Sequence, residues 1–208
     1  YELGFSLHHT ILMRGIEEFV YQMLVHVDAN LYSPASIHEA FVRHPDIGRE
    51  LVSYFSSRFN PVQALSGEKA QQKKERILEL IERLDSGILS NDDRRKAIFR
   101  LGVEFVAHVL KSNYYVLRRS ALSFRVDPQV MLEVPFLDRA SLFPEIPYGI
   151  FFIKGKNFFA FNIRFRPLAR GGVRTLLPMG KEREDYQHRE VFRECYQLAY
   201  TQQKKNKE

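Results

Sequence analysis

The chain has 208 residues, of which 45% are hydrophobic and 13% aromatic, which is enough apolar material for a buried core and excludes a disordered chain. Its formal net charge is +6, from 31 Lys and Arg against 25 Asp and Glu. A single Cys excludes a disulfide framework, and no apolar run approaches the roughly 20 residues that a membrane-spanning helix needs.

Residues 1–117 are predicted to form a helical region. Apolar residues recur there at steps of three and four, as on the buried side of a packed helix. Ser33-Pro34, Asp46 and Ser90 are expected to begin helices, because such side chains cap free backbone N–H groups. The predicted helices are His9 to Val27, one that begins at Ser33-Pro34, Asp46 to Asn60, Glu68 to Arg83, and Ser90 to Ser112-Asn113.

Beyond residue 118 the apolar period changes from about 3.6 to 2, which is typical of strands. One strand is predicted over 120–126, and a β-hairpin over 148–166 with its turn near Gly155. The second arm places Phe159, Phe161, Ile163 and Phe165 on one face, and Asn162, Arg164 and Arg166 on the other. The fold class predicted is α+β, a helical region followed by a mostly antiparallel sheet with a closing helix.

The closing helix is predicted from Tyr186 to about Gln203. Its apolar face carries Val191, Cys195, Leu198 and Gln202, with Phe192 and Ala199 beside it. The lone Cys195 is interpreted as a core residue rather than a nucleophile, and a reducing, cytoplasmic location is expected. At about 100° per residue, Lys205 falls near this face and Lys204 points away.

The segment RFRPLARGGVR, residues 164–174, is the strongest chemical signal in the chain. Its four arginines are Arg164, Arg166, Arg170 and Arg174. Residues 164–208 hold eleven Lys or Arg against six Asp or Glu, and residues 1–163 hold twenty against nineteen. This local excess beside Gly171-Gly172 favours a small carboxylate or phosphate as ligand. The spacing alone is equally compatible with surface arginines that pair with surface acids.

Other function classes have weaker signals. The chain lacks the Walker, GxGxxG, HExxH and GxSxG motifs, and its seven histidines lack metal-ligand spacing, so no catalytic residue and no metal are assigned. Phe158 beside the arginines leaves nucleic-acid binding as an alternative, although the strict Phe alternation indicates a buried face.

Four segments, in this order, resemble the large NAD-dependent glutamate dehydrogenases: 120–128, 146–155, 161–174 and 198–208. The resemblance covers roughly residues 90–208. It implies that Arg170-Gly171-Gly172, with Arg174, contacts a substrate carboxylate. It also implies a second contact, best matched by Lys205-Asn206, although Gln202, Gln203 or Lys204 could take that place.

The resemblance further implies the activity of a full-length enzyme, the oxidation of L-glutamate to 2-oxoglutarate and ammonia with reduction of NAD. Residues 118–208 would begin its substrate-binding domain. The catalytic lysine and the NAD-binding domain would lie beyond this chain, which would be an inactive fragment of a soluble homo-oligomer. The alternative is a basic α+β module that binds nucleic acid or an acidic partner.

Overall fold

The computed structural model describes residues 5–62, 67–85, 87–134, 143–156, 158–166, 173–178 and 191–205. The elements in chain order are α1 (Leu7–Leu24), α2 (Pro34–Arg43), α3 (Pro45–Phe59), α4 (Gly67–Glu82), α5 (Leu89–His108), β1 (Val109–Ser112), β2 (Ala121–Val126), a 3₁₀ helix (Pro128–Glu133), β3 (Gly149–Gly155), β4 (Phe158–Arg164), β5 (Val173–Pro178) and α6 (Val191–Lys205). The predicted α+β class is confirmed. In the described ranges, no helix has both the length and the apolar character needed to cross a membrane.

The helix starts follow the predicted capping in one of three cases. Ser33 caps α2, since its Oγ accepts a 3.1 Å hydrogen bond from the Ser36 amide and Pro34 occupies the first turn. The caps predicted at Asp46 and Ser90 are wrong. Asp46 lies inside the first turn of α3, and α5 begins at Leu89 without a side-chain cap.

The sheet is an antiparallel meander in the order β1-β2-β3-β4-β5. The predicted strand and hairpin are both present. A Cβ on Gly155 would lie 2.1 Å from the Phe158 ring, so the hairpin turn requires a residue without a side chain there. The end predicted for the last helix of the helical region is wrong. Residues 109–112 leave the helix and form β1, which pairs with β2.

Aromatic rings from three neighbouring strands form a row on one face of the sheet. Phe124 pairs in register with Phe152, which also pairs with Phe161, and the ring centroids are 5.9 and 4.9 Å apart. Helices α1 and α5 cover this row through Phe19 and Phe105, whose rings stack at 4.2 Å. The buried core therefore contains residues from both the helical region and the sheet.

Candidate functional site

The arginine segment begins where β4 ends. Arg164 is the last residue of the strand, and its carbonyl accepts a 2.6 Å hydrogen bond from the Tyr148 amide just ahead of β3. This bond extends the pairing of the two strands by one step. It brings Arg166 beside Tyr148, and the guanidinium carbon lies 5.9 Å from the ring centroid. The position of Arg166 therefore follows from the strand register.

Arg166 and Tyr148 line a cleft of about 540 Å³, which we call the Arg166 cleft. The start of the 3₁₀ helix, the segment 145–148, the residues that follow β4 and the end of α6 form its walls. Clefts of about 300–1000 Å³ are the usual size of small-molecule sites. A small metabolite would fit in this volume.

Gln203 of α6 lines the same cleft and is only 4% exposed. Its Nε2 donates to the Glu145 carboxylate, whereas its Oε1 is buried without a hydrogen-bond partner among the described residues. A buried acceptor without a partner is costly, so a donor in the cleft would be favoured. Arg166 lines the same cleft, as do the carboxylates of Asp127 and Glu145, so the cleft offers contacts to a molecule that has both an anionic group and a cationic N–H donor.

Tyr196 holds α6 against the segment that lines the cleft. Its hydroxyl donates to the Glu145 carbonyl at 2.6 Å and accepts from the Glu145 amide at 3.0 Å. Burial raises the pKa of Tyr196 to about 12, so the hydroxyl keeps the proton that it donates. Cys195 adds a contact from its Sγ to the Phe161 carbonyl at 3.6 Å, and its predicted role as a core residue is confirmed.

The face predicted for this helix is confirmed for Val191, Phe192, Cys195 and Ala199, which are all buried, and wrong for Leu198 and Gln202. Leu198 is 56% exposed and Gln202 is exposed, whereas Tyr196 and Gln203 are buried. The buried side is rotated by about 70° from the predicted side, at 100° per residue. Tyr196 and Gln203 are buried because both bond to Glu145, a partner that is distant in the sequence.

Three of the six predicted substrate contacts are described by the structure. Arg170, Gly171 and Gly172 lie outside the described residues. Arg174 lies in β5, where its Cα is paired with that of Asn162. Gln202 and Lys205 are both on the exposed side of α6. Their roles remain predictions.

The outer side of β4 carries further polar atoms. Asn162 Nδ2 and Arg164 Nε are buried and make no hydrogen bond within the described part of the chain. Both side chains alternate with the buried residues Phe161 and Ile163. Two donors of this kind would be satisfied by an anion or by carbonyl groups.

Comparison with known proteins assigns the chain to a family, although no family model matches it. The NAD-specific glutamate dehydrogenase of Neurospora crassa is 30% identical over 203 residues, covering 92% of this chain and 18% of that protein. The Saccharomyces cerevisiae NAD-specific glutamate dehydrogenase is 39% identical over 120 residues, covering 58% and 10%. The chain belongs to the large NAD-specific glutamate dehydrogenases. Glutamate dehydrogenase 2 of Dictyostelium discoideum, 27% identical, matches 90% of the chain.

The chain spans less than a fifth of the length of these glutamate dehydrogenases. The sequence resemblance found the family, but it missed three of the groups that shape the Arg166 cleft: Glu145, Tyr148 and Tyr196. The sequence did contain a signal for Tyr196. It precedes Gln203 by seven residues, a spacing that places both side chains on the same side of a helix.

Proposed function

We propose that this chain forms the start of the substrate-binding domain of an enzyme that oxidises L-glutamate to 2-oxoglutarate and ammonia with reduction of NAD. The observation that carries the proposal is its similarity, over most of its length, to NAD-specific glutamate dehydrogenases. The Arg166 cleft supports it, because glutamate carries two carboxylates and one ammonium group. Arg166 adds positive potential for a carboxylate. The buried Gln203 Oε1, with the carboxylates of Asp127 and Glu145 in the same lining, would accept hydrogen bonds from the ammonium group.

In this proposal Arg170, beside Gly171 and Gly172, binds one substrate carboxylate, and Lys205 with Gln202, which lie on the exposed side of α6 and do not line the Arg166 cleft, binds the other end. Two cations on separate elements balance the negative charge of the substrate and set its orientation, so that the carbon that loses hydride faces the cofactor. Arg174 supports the first contact from β5. Arg164 and Arg166 contribute positive potential nearby.

NAD is assigned to a part of the longer protein outside this chain. A dinucleotide site is usually built on parallel strands with a Gly-rich turn between strand and helix. The strands described here pair only in the antiparallel direction, so the described residues do not provide such a unit. NAD would supply the hydride acceptor. We propose that the 208-residue chain alone has no turnover.

The test is the kinetics of the full-length enzyme with Arg170→Gln. NADH formation from L-glutamate should fall about 10- to 100-fold in kcat/KM, since a charge-assisted contact contributes roughly 1.5–3 kcal/mol. Arg76→Gln is the control, because Arg76 lies on α4 with 70% of its side chain exposed. An unchanged kcat/KM in Arg170→Gln would contradict the role of Arg170, and absence of glutamate oxidation in the wild-type enzyme would contradict the activity.

Nucleic-acid binding is less well supported. Phe158 is partly exposed, but the other rings of this strand and its end are buried, with Phe159 at 1% exposed, Phe161 at 1% and Phe165 at 3%, so no row of exposed rings is available for base stacking in the described part of β4. Salt-dependent binding of single-stranded RNA that is lost in Arg164→Gln with Arg166→Gln would favour that alternative.

A further inference from the structure

A second cleft, of about 1020 Å³, lies at the other end of β3. The first half of α1, the start of α2, the loop 115–120 and the end of β3 form its walls. Gly155 and Lys154 lie in this cleft, whereas Tyr148 lies in the Arg166 cleft, so the two are separated by the length of β3, about 20 Å at 3.3 Å per residue. We call it the Arg118 cleft.

Several apolar side chains of the Arg118 cleft are open to solvent. Leu117 is 89% exposed, Leu7 61%, Val116 56% and Ile11 39%. They come from two separate segments, α1 and the loop, and all four line the same concave surface. Exposed apolar residues are ordinary when they are scattered, but their concentration in one cleft is typical of a ligand site.

The cleft also has an excess of positive charge. Five cationic side chains line it, against the two carboxylates of Glu17 and Glu18. Glu17 is already bonded to His38 at 3.2 Å and paired with Arg14 at 3.5 Å, and Glu18 accepts from Gln22 at 3.2 Å. Both glutamates therefore already have hydrogen-bond or ion-pair partners within the protein.

Three of the cations, Arg118, Arg119 and Lys156, make no ion pair with a carboxylate in the part of the chain that the structure describes. The Arg119 guanidinium is nevertheless held in place. It donates to the Val116 carbonyl at 3.2 Å, contacts His8 Nδ1 at 3.2 Å and lies 5.2 Å from the centroid of the Tyr114 ring. An arginine fixed in this way is ready to bind an anion without further ordering.

The backbone at Arg118 has a φ of 58°, the left-handed region that residues with a side chain rarely adopt. Such strain persists where the surrounding structure requires it, and it is often found at binding sites. Here it turns the loop so that Leu117, Arg118 and Arg119 all line the cleft.

We propose that the Arg118 cleft binds a small free anion that carries an apolar chain, with its head group on Arg118 and Arg119 and its chain against Leu7, Ile11, Val116 and Leu117. This site is separate from the Arg166 cleft and does not depend on the proposed function. One amphipathic ligand explains together the apolar side chains and the cations that have no carboxylate partner among the described residues, whereas a purely polar anion would leave the apolar surface in water.

The test is isothermal titration of the 208-residue chain with three probes. Decanoate has both the charge and the chain, decanol has only the chain, and acetate has only the charge. Decanoate should saturate one site and bind at least about tenfold more tightly than either of the others, since each part contributes separately. No saturable binding, or equal binding of decanol, would overturn the proposal.

Two variants locate the site. Arg118→Gln with Arg119→Gln should weaken decanoate at least about tenfold, and Leu117→Ser should weaken it several-fold without a change of charge. Lys69→Gln with Arg76→Gln removes the same charge from α4 and should leave the affinity unchanged. Equal loss in this control would show a non-specific charge effect and overturn the site. Binding to phosphatidylglycerol vesicles without binding of free decanoate would also overturn it, in favour of a membrane surface.

Discussion

Removal of one oxygen atom from Tyr196 should weaken the attachment of α6 to the rest of the protein. Tyr196→Phe keeps the ring, which packs 4.8 Å from Phe143 and 5.4 Å from Phe165 between centroids. It removes two hydrogen bonds, to the amide and the carbonyl of Glu145, from a side chain with 0% exposure. At about 0.5–1.5 kcal/mol each, the expected loss in the free energy of unfolding is about 2 kcal/mol.

Urea unfolding followed by circular dichroism measures this loss, and thermal unfolding should show a midpoint lower by about 4–8 °C for a chain of this length. The matched control is Tyr200→Phe, because Tyr200 stacks on Tyr196 at 5.9 Å but is only half-buried, and its hydroxyl makes no hydrogen bond within the described residues. The control should change stability by less than about 0.5 kcal/mol. Equal effects of the two substitutions would refute the role assigned to the Tyr196 hydroxyl.

Three other variants test the core, the titration of a buried histidine and the cleft wall. Phe105→Ala should cost about 3–5 kcal/mol in urea unfolding, because its fully buried ring contacts the aromatic row, whereas Val62→Ala, at a site 88% exposed, should cost less than about 0.5 kcal/mol. Burial, with a smaller effect of Arg193, lowers the pKa of His26 to about 4 from its ordinary 6.5. The unfolded chain then binds a proton at His26 below pH 6.5 that the folded chain binds only near pH 4, so stability falls as the pH drops through that interval, by about 3 kcal/mol. His26→Gln should make this fall shallower in urea titrations at pH 7, 5.5 and 4.5, and an identical slope would contradict it. Gln203→Leu should lower the free energy of unfolding by about 1 kcal/mol through loss of the bond to Glu145, and a gain in stability would show that the buried amide is unfavourable overall.

Local signals were sufficient for much of the fold. Ser33-Pro34 begins α2 as expected, because a cap depends only on residues within one turn. The alternating phenylalanines of β4 are buried as predicted, since the period of a strand fixes which residues share a face. These features require no knowledge of what the segment packs against.

The errors arise where a distant partner decides the outcome. Val109 and Leu110 continue the helical spacing of α5, yet residues 109–112 form a strand because β2 offers hydrogen bonds and buries Val109 opposite Val126. In α6, a glutamine is buried in place of a leucine because Glu145 lies beside it. Apolar periodicity carries no information about either partner.

In the candidate site, too, local features could be predicted from the sequence and features that depend on distant residues could not. The arginines and the glycine pair of residues 164–174 could be identified from the sequence. The similarity to the glutamate dehydrogenases supports a role for that segment in substrate binding. The register of β3 against β4, which brings Arg166 to Tyr148, could not be predicted from composition. It depends on how a few residues between the strands close the hairpin.

The attachment of α6 through Tyr196 uses only main-chain atoms of residue 145. Any amino acid except proline presents the same amide and carbonyl there. These two bonds therefore require the hydroxyl of Tyr196 but do not depend on which side chain residue 145 carries. A substitution at position 145 would break the bond from Gln203 and change the charge on the cleft wall, while the two bonds of Tyr196 to the main chain would still hold α6 in place.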